Sequence, residues 1–311
     1  MTINITQRDR IINAILVGKA NFEGSERNYA RSLGISASAY SQLKSRKREG
    51  VVADAKLVVI GRKLQVPMYN APEYNIVNID VFDYLQEVFE ACQEESKARM
   101  FCDIADCGKT VAATYYASKH KNVFYIDCSL VPTMRLFIKE IAKVIGLEAD
   151  TTIHELVKNI GYMLQATDRP LIILDEAGDL SWEAFAKIKP LWNGTENCCG
   201  WVMIGADALA HKLERARHNK RVGAAETIRL FGREFMHCVP KGLGERTMFF
   251  IEQAERIIAA NMPGATLASL NLIREKEKGK DKKDMPVLES LTRLKENIMK
   301  EKRLLAKKKT R

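Results

Sequence analysis

Two hydrophobic patterns alternate through the middle of the chain. Short apolar runs, typical of buried strands, alternate with segments in which apolar residues recur every three or four positions, typical of amphipathic helices. The runs predict strands at 98–102, 122–128, 171–175 and 199–205. The periodic segments predict helices at 81–92, 110–119, 133–145, 151–166 and 182–192. This alternation predicts an α/β core with a parallel sheet.

The N-terminal part shows only helical spacing, over residues 8–17 and 53–64 and within residues 25–43. The last of these is typical of a helix-turn-helix, with Gly34 at the turn and Ser36 capping the second helix. The exposed face of that second helix is predicted to carry groups suited to groove edges and phosphates: Ser36, Ser38, Gln42 and Lys44. A small helical bundle that binds protein is the alternative.

A phosphate-binding loop is predicted where the first strand meets the next helix. Gly108, Lys109 and Thr110 end the loop, and the backbone N–H groups there, with those of Asp106 and Cys107, would face phosphates. Lys109 is expected to reach the β and γ phosphates, and the Thr110 hydroxyl is expected to hold Mg²⁺.

A second motif follows about 65 residues later, where the apolar strand 171–174 stops at a pair of carboxylates. Ligands of open parallel sheets bind at the carboxyl ends of the strands. We therefore expect Asp175 to help hold Mg²⁺ and Glu176 to act as the base for an attacking water. ATP and Mg²⁺ are the expected cofactors.

The loop departs from the usual pattern at two positions, where Asp103 and Asp106 replace glycines. Aspartate tolerates left-handed backbone, but its carboxylate repels a polyphosphate. At an effective dielectric constant of about 20 and a separation of about 6 Å, one inward-pointing carboxylate would cost roughly 3 kcal/mol. Either the affinity for ATP is weak or both side chains turn away, and slow hydrolysis is expected.

The chain divides into three predicted domains. They are a helix-turn-helix domain at 1–66, a nucleotide-binding core at 67–244 and a helical C-terminal region with a basic tail at 245–311. In the last, helices are predicted at 246–260 and 287–305. The net charge is +10, and residues 274–311 carry 15 Lys or Arg against 7 Asp or Glu. Such a tail is usually a solvated end, and a polyanionic partner is the functional alternative.

The composition argues against several other classes of protein. No run of 18 apolar residues exists and residues 1–10 are polar, so we expect neither a membrane partner nor secretion, and a cytoplasmic location. The 7 cysteines show no Cys-x-x-Cys spacing and are expected to be reduced. The 5 histidines show no metal-binding spacing.

The order and spacing of these motifs resemble those of AAA+ ATPases that act as target-DNA activators for transposases, including helpers of transposable phages. The residues that carry the resemblance are the helix-turn-helix, Gly108-Lys109-Thr110, Asp175-Glu176-Ala177, Met203-Ile204-Gly205 and the segment from Arg229 to Arg233. The resemblance implies a AAA+ P-loop core and weak ATPase activity. It also implies binding to double-stranded DNA without strong sequence preference, self-assembly into a helical filament or ring, and delivery of DNA to a cognate transposase for strand transfer.

The resemblance also implies roles for basic residues. In such filaments an arginine of one subunit completes the nucleotide site of the next, and Arg233 is the candidate, with Arg229 in reserve. A filament must line its groove with every subunit, which favours these core residues for DNA binding: Arg215, Arg217, Lys220 and Arg221. The chain departs from the family at Ala206, where a polar residue is usual, and no arginine directly follows Pro263-Gly264-Ala265.

Two other functional classes stay open on the residues alone. One is a DNA-binding adaptor or repressor whose ATP site has decayed. The other is an unrelated signalling nucleotidase in which the basic tail is incidental.

Overall fold

The computed structural model of the protein describes residues 3–45, 50–64, 66–67, 74–218, 230–231, 236–267, 269–270 and 291–309. The chain forms two compact units. The first consists of Met1–Tyr69, Gln86–Cys102 and Ala113–Met236. The second consists of Asn70–Leu85, Asp103–Ala112 and His237–Arg311.

The first unit contains a parallel sheet of four strands. They are β1 (Ala98–Cys102), β2 (Val123–Asp127), β3 (Leu171–Asp175) and β4 (Gly200–Gly205). Their order in the sheet is β1-β4-β3-β2. Every residue of β3 and β4 is buried, as expected for central strands that are covered on both faces. The predicted parallel sheet is confirmed, and all four carboxyl ends lie along one edge.

The described helices agree closely with the predicted ones. They are α1 (Ile5–Gly18), α2 (Glu26–Ser32), α3 (Ala37–Lys44), α4 (Asp54–Lys63), α5 (Asp80–Glu95), α6 (Lys109–Lys119), α7 (Met134–Val144), α8 (Ile153–Gln165), α9 (Trp182–Ala186), α10 (Ile188–Asn193), α11 (Asp207–His218), α12 (Leu243–Asn261) and α13 (Leu291–Lys309). Of the predicted helix 287–305, residues 287–290 lie outside the described part.

One predicted helix is wrong as a single element. The segment 182–192 forms α9 and α10, with a break at Lys187. Pro190 explains the break, because proline has no N–H to donate to the carbonyl four residues earlier and its ring clashes with that carbonyl.

The N-terminal helices form the predicted helix-turn-helix and pack onto the sheet within the same unit. Ser36 accepts a hydrogen bond from the N–H of Ala39 and so caps α3, and Gly34 has φ +71° in the turn. Phe22 packs against Phe124 of β2, with ring centroids 6.3 Å apart. The helix-turn-helix and the sheet therefore share one hydrophobic core.

In the second unit, two buried amides of α12 fasten the segment that leads into α5. Gln253 accepts from the N–H of Asp80 at 3.0 Å and donates to the Asp80 carboxylate at 3.0 Å. Asn261 accepts from the N–H of Asn75 at 2.8 Å and donates to the carbonyl of Asn75 at 2.9 Å. Each amide uses both of its functions, so the segment 74–80 is held to α12 at two points.

Candidate nucleotide-binding site

The phosphate loop starts at Asp103, directly after β1, and its backbone takes conformations that suit such a loop. Gly108 has φ +102°, which a residue with a side chain rarely adopts. Asp106 has φ +59°, the left-handed region that aspartate tolerates. Asp106 therefore adopts the left-handed backbone that the sequence analysis expected it to tolerate at a glycine position.

Lys109 is buried and turned into the loop. Its ammonium group donates to the carbonyls of Asp103 at 3.1 Å and Ile104 at 2.5 Å, and it lies 3.8 Å from the sulfur of Cys107. Burial raises the pKa of the Cys107 thiol to about 11, so this sulfur stays a neutral thiol near pH 7. The ammonium thus has neutral partners here, and its positive charge is retained for an anion.

Asp103, at the first substituted glycine position, has a buried carboxylate whose hydrogen bonds lie within the second unit. One oxygen accepts from the N–H of Ile104 at 2.8 Å. The other accepts from the N–H groups of Cys238 at 2.7 Å and Val239 at 2.9 Å. Hydrogen bonds from N–H groups stabilise a carboxylate. This side chain fastens the loop to the chain segment that precedes α12.

Asp106, at the second substituted position, contacts the first turn of α13. Its carboxylate accepts from the hydroxyl of Thr292 at 3.0 Å, and its carbonyl accepts from the N–H of Leu291 at 3.2 Å. The N-terminus of a helix carries a partial positive charge that favours a carboxylate. The sequence predicted either a weak affinity for ATP or that Asp103 and Asp106 turn away from the phosphates. The second alternative agrees with the structure, because both carboxylates accept hydrogen bonds from the C-terminal part of the chain.

The carboxylate pair ends β3 at the edge of the sheet where the carboxyl ends lie. Asp175 is buried, with 1% of its surface exposed. One of its oxygens accepts from the N–H of Glu176 at 3.0 Å, and the other accepts from the phenol of Tyr125, on β2, at 2.9 Å. Glu176 is half-buried and has φ +49°. The left-handed backbone of Glu176 ends the extended conformation of β3 directly after Asp175.

These features identify the fold. Residues 104–213 match the family model of the AAA domain. The core therefore has the α/β P-loop fold of AAA+ ATPases, with helical parts before and after it, as predicted. The match supports an activity that depends on nucleotide, as in ATPases. The comparison with curated proteins found no match.

The donor atoms of the AAA domain fit magnesium. Carboxylate and hydroxyl oxygens are ligands that Mg²⁺ prefers, and this ion commonly combines one or two carboxylates with the phosphates of its substrate. Asp175 at the end of β3 offers a carboxylate. The role of the Thr110 hydroxyl as a ligand stays a prediction. Among the described residues there is no group of three or more His, Cys, Asp or Glu able to hold a metal ion.

The helix α11, at the end of the matched region, presents one of the four predicted DNA contacts to solvent. Leu213 and Ala216 bury one face of α11, and Arg215 is exposed. Lys212 donates to the carbonyls of Gly178 and Leu180, which ties α11 to the turn that follows β3. Burial lowers the pKa of Lys212. Lys212 therefore has a role inside the AAA domain, which the sequence did not reveal.

Several predicted residues lie where the structure gives no side-chain account. Arg217 belongs to α11, but its side chain is outside the described part. Lys220, Arg221, Arg229 and Arg233 are outside the described residues altogether. Their DNA-binding and catalytic roles stay predictions. Among the helices of the described residues, none combines the length and the apolar character needed to cross a membrane.

Proposed function

We propose that this protein is an ATP-dependent DNA-binding protein without strong sequence preference. It forms filaments on target DNA, delivers that DNA to a transposase and stimulates strand transfer. ATP stabilises the contacts between subunits, and slow hydrolysis dissolves them. The observation that carries the proposal is the joining, within one compact unit, of a helix-turn-helix to the sheet of an AAA domain.

The geometry of the loop and of β3 supports the nucleotide half of the proposal. Lys109 holds a buried charge at the start of α6, where backbone N–H groups favour phosphate. Asp175 is the candidate for holding Mg²⁺, and Glu176 is the candidate base. Arg233 of a neighbouring subunit would stabilise charge that develops on the γ-phosphate.

Exposed polar groups on two helices support the DNA half. The predicted recognition face of α3 is exposed, and its members are Ser36, Ser38, Gln42 and Lys44. Lys44 pairs with Glu26 at 2.5 Å, but an ion pair at an exposed position adds little stability, so a DNA phosphate can replace Glu26 as its partner. Arg215 on α11 adds a cation on the AAA domain itself.

Hydrogen bonds between the N-terminal segment and the AAA domain could couple nucleotide binding to the DNA-binding face. The amide of Asn122, directly before β2, donates to the carboxylate of Glu23 at 2.6 Å, and its backbone N–H donates to Asn21 at 3.0 Å. On a second contact, Arg31 of α2 donates to the carbonyl of Gly146 at 3.3 Å. A conformational change near Asn122 or Gly146 would therefore shift α2 and, with it, α3.

The choice of transposition among DNA-binding functions rests on the resemblance of the sequence motifs to those of AAA+ target-DNA activators of transposases. That likeness extends from the helix-turn-helix to the segment around Arg233 and includes the two motifs of the AAA domain. It supplies the proposed partners, which are double-stranded DNA, a cognate transposase and further copies of this chain.

Co-sedimentation with random-sequence duplex DNA tests the proposal. We expect the wild-type protein to sediment with DNA only when Mg²⁺ and ATP are present, because nucleotide completes the contacts between subunits. The Glu176→Gln variant should remain bound after wild-type complexes have dissolved, since it binds nucleotide but lacks the base. If about five phosphates are neutralised per subunit, a plot of the logarithm of the binding constant against the logarithm of the salt concentration should have a slope of about −4.5.

The control variant is Glu183→Gln, which makes the same chemical change at an exposed position of α9 and should behave as wild type. Nucleotide-independent sedimentation would favour the adaptor or repressor function, and a complete lack of DNA binding would favour the signalling nucleotidase. A Glu176→Gln variant that leaves DNA faster than wild type would contradict the role of Glu176 as base.

A further inference from the structure

Tyr125 makes a hydrogen bond that no motif in the sequence announces. It lies on β2 opposite Ile173 of β3, and Asp175 lies two residues beyond Ile173 on the same face of the sheet. Diagonal neighbours of this kind are within reach of a long aromatic side chain. The phenol accordingly reaches the Asp175 carboxylate, with 2.9 Å between the two oxygen atoms.

A hydrogen bond from a phenol adds no charge to the site of Asp175. A carboxylate only accepts, so the phenol must donate its proton to the bond. A lysine or arginine in its place would neutralise the carboxylate and compete with a metal cation. A neutral donor orients the carboxylate without that competition.

The two donors together fix the rotation of the carboxylate. The N–H of Glu176 holds one oxygen and Tyr125 holds the other, so neither oxygen can exchange places with its partner without breaking a hydrogen bond. Without the phenol, the carboxylate would lose the hydrogen bond that restrains its terminal torsion from β2, and this torsion is broad for aspartate.

We propose that Tyr125 is a positioning residue that sets the orientation of the Asp175 carboxylate for the magnesium ion of the bound nucleotide. The inference rests on the proposed nucleotide function. Tyr125 acts through Asp175 and touches neither the nucleotide nor the reacting atoms in this role. Its loss should therefore weaken the response to magnesium and leave metal-free nucleotide binding unchanged.

The test is a magnesium titration of the Tyr125→Phe variant. A fluorescent ATP analogue at fixed concentration reports binding as Mg²⁺ is raised, and a parallel titration in excess EDTA reports metal-free binding. We expect the Mg²⁺ midpoint to rise about 3- to 10-fold, which matches the net contribution of one typical hydrogen bond, with no change in EDTA. Phenylalanine keeps the ring, and thermal unfolding confirms that the variant is folded.

A double-mutant cycle and a matched variant complete the design. In an Asp175→Ala background, which removes the acceptor of the hydrogen bond, the Tyr125→Phe change should have no further effect on the Mg²⁺ midpoint. The matched control is Tyr162→Phe, which removes a phenol at a position that is 58% exposed and should leave the midpoint unchanged.

The outcomes separate this inference from the proposed function. If the wild-type protein binds the analogue with a clear magnesium dependence and Tyr125→Phe has the same midpoint, the role of Tyr125 is wrong and the function stands. An effect of Tyr125→Phe that persists at full size in the Asp175→Ala background would also overturn it. If the wild-type protein binds no nucleotide, both the function and the inference fail.

Discussion

Replacing Lys109 by alanine will lower the affinity for magnesium-ATP by at least about 100-fold. The ammonium group is the buried cation of the phosphate loop, and its present partners are backbone carbonyls and a neutral thiol. At an effective dielectric constant of about 20, its attraction to one phosphate charge at about 4 Å is roughly 4 kcal/mol, which exceeds the energy of a 100-fold change. Titration with a fluorescent ATP analogue measures the effect.

The control for this prediction is Lys119→Ala, which removes the same charge from an exposed position at the other end of α6. Its affinity should lie within a factor of about two of wild type, because exposed charges are screened. Nucleotide-dependent assembly on DNA should disappear in Lys109→Ala and persist in Lys119→Ala. Equal nucleotide affinity for Lys109→Ala and wild type would remove the loop from the account.

Replacing Asp103 by alanine will destabilise the second unit by about 2–4 kcal/mol, since the N–H groups of Cys238 and Val239 would both lose their acceptor. Hydrogen exchange at these two amides is the most local readout, and we expect exchange there to accelerate at least about tenfold. Asp103→Asn should be intermediate, because its amide retains one acceptor oxygen.

The control here is Asp150→Ala, which removes an exposed carboxylate and should leave the protection of both amides unchanged. If Asp103→Ala keeps wild-type protection at residues 238 and 239, the carboxylate does not hold this segment. In that case the repulsion expected from the sequence becomes the better description of Asp103, and the variant should bind ATP more tightly.

The sheet and the two motifs were predictable because their signals are local. A buried strand needs a continuous apolar run, and Leu171–Asp175 provides one that ends in a carboxylate. The turn at Gly34 and the cap at Ser36 are equally local, since the residue itself supplies the needed backbone freedom or hydrogen bond. The break at Lys187 was also within reach, because Pro190 is visible in the sequence.

The contacts of the substituted loop were not predictable, because they depend on partners far away in sequence. Asp103 is bonded to residues 135 and 136 positions away, and Asp106 to one 186 positions away. The sequence identified both carboxylates as exceptional but gave no sign of Cys238, Val239 or Thr292 as partners. The electrostatic repulsion estimated from the sequence assumed that both side chains point towards the phosphates. In the structure the two carboxylates instead fasten the loop to the C-terminal part of the chain.

Tyr125 shows the same limit at shorter range. Its position on a strand was predicted, but its partner depends on which strand pairs with β2 and in which register, and the residues of β2 alone do not specify either. A tyrosine next to Phe124 is also an ordinary member of a strand. Only the sheet, once formed, brings its phenol to Asp175.

Electron microscopy of the protein with duplex DNA tests the central claim most directly, because it shows whether nucleotide controls a protein coat on DNA. With Mg²⁺ and ATP present, we predict continuous filaments along the DNA for the wild-type protein and bare DNA for Lys109→Ala. Without nucleotide, we predict bare DNA for both. Equal coating of the DNA by wild-type protein in the presence and absence of nucleotide would contradict the account.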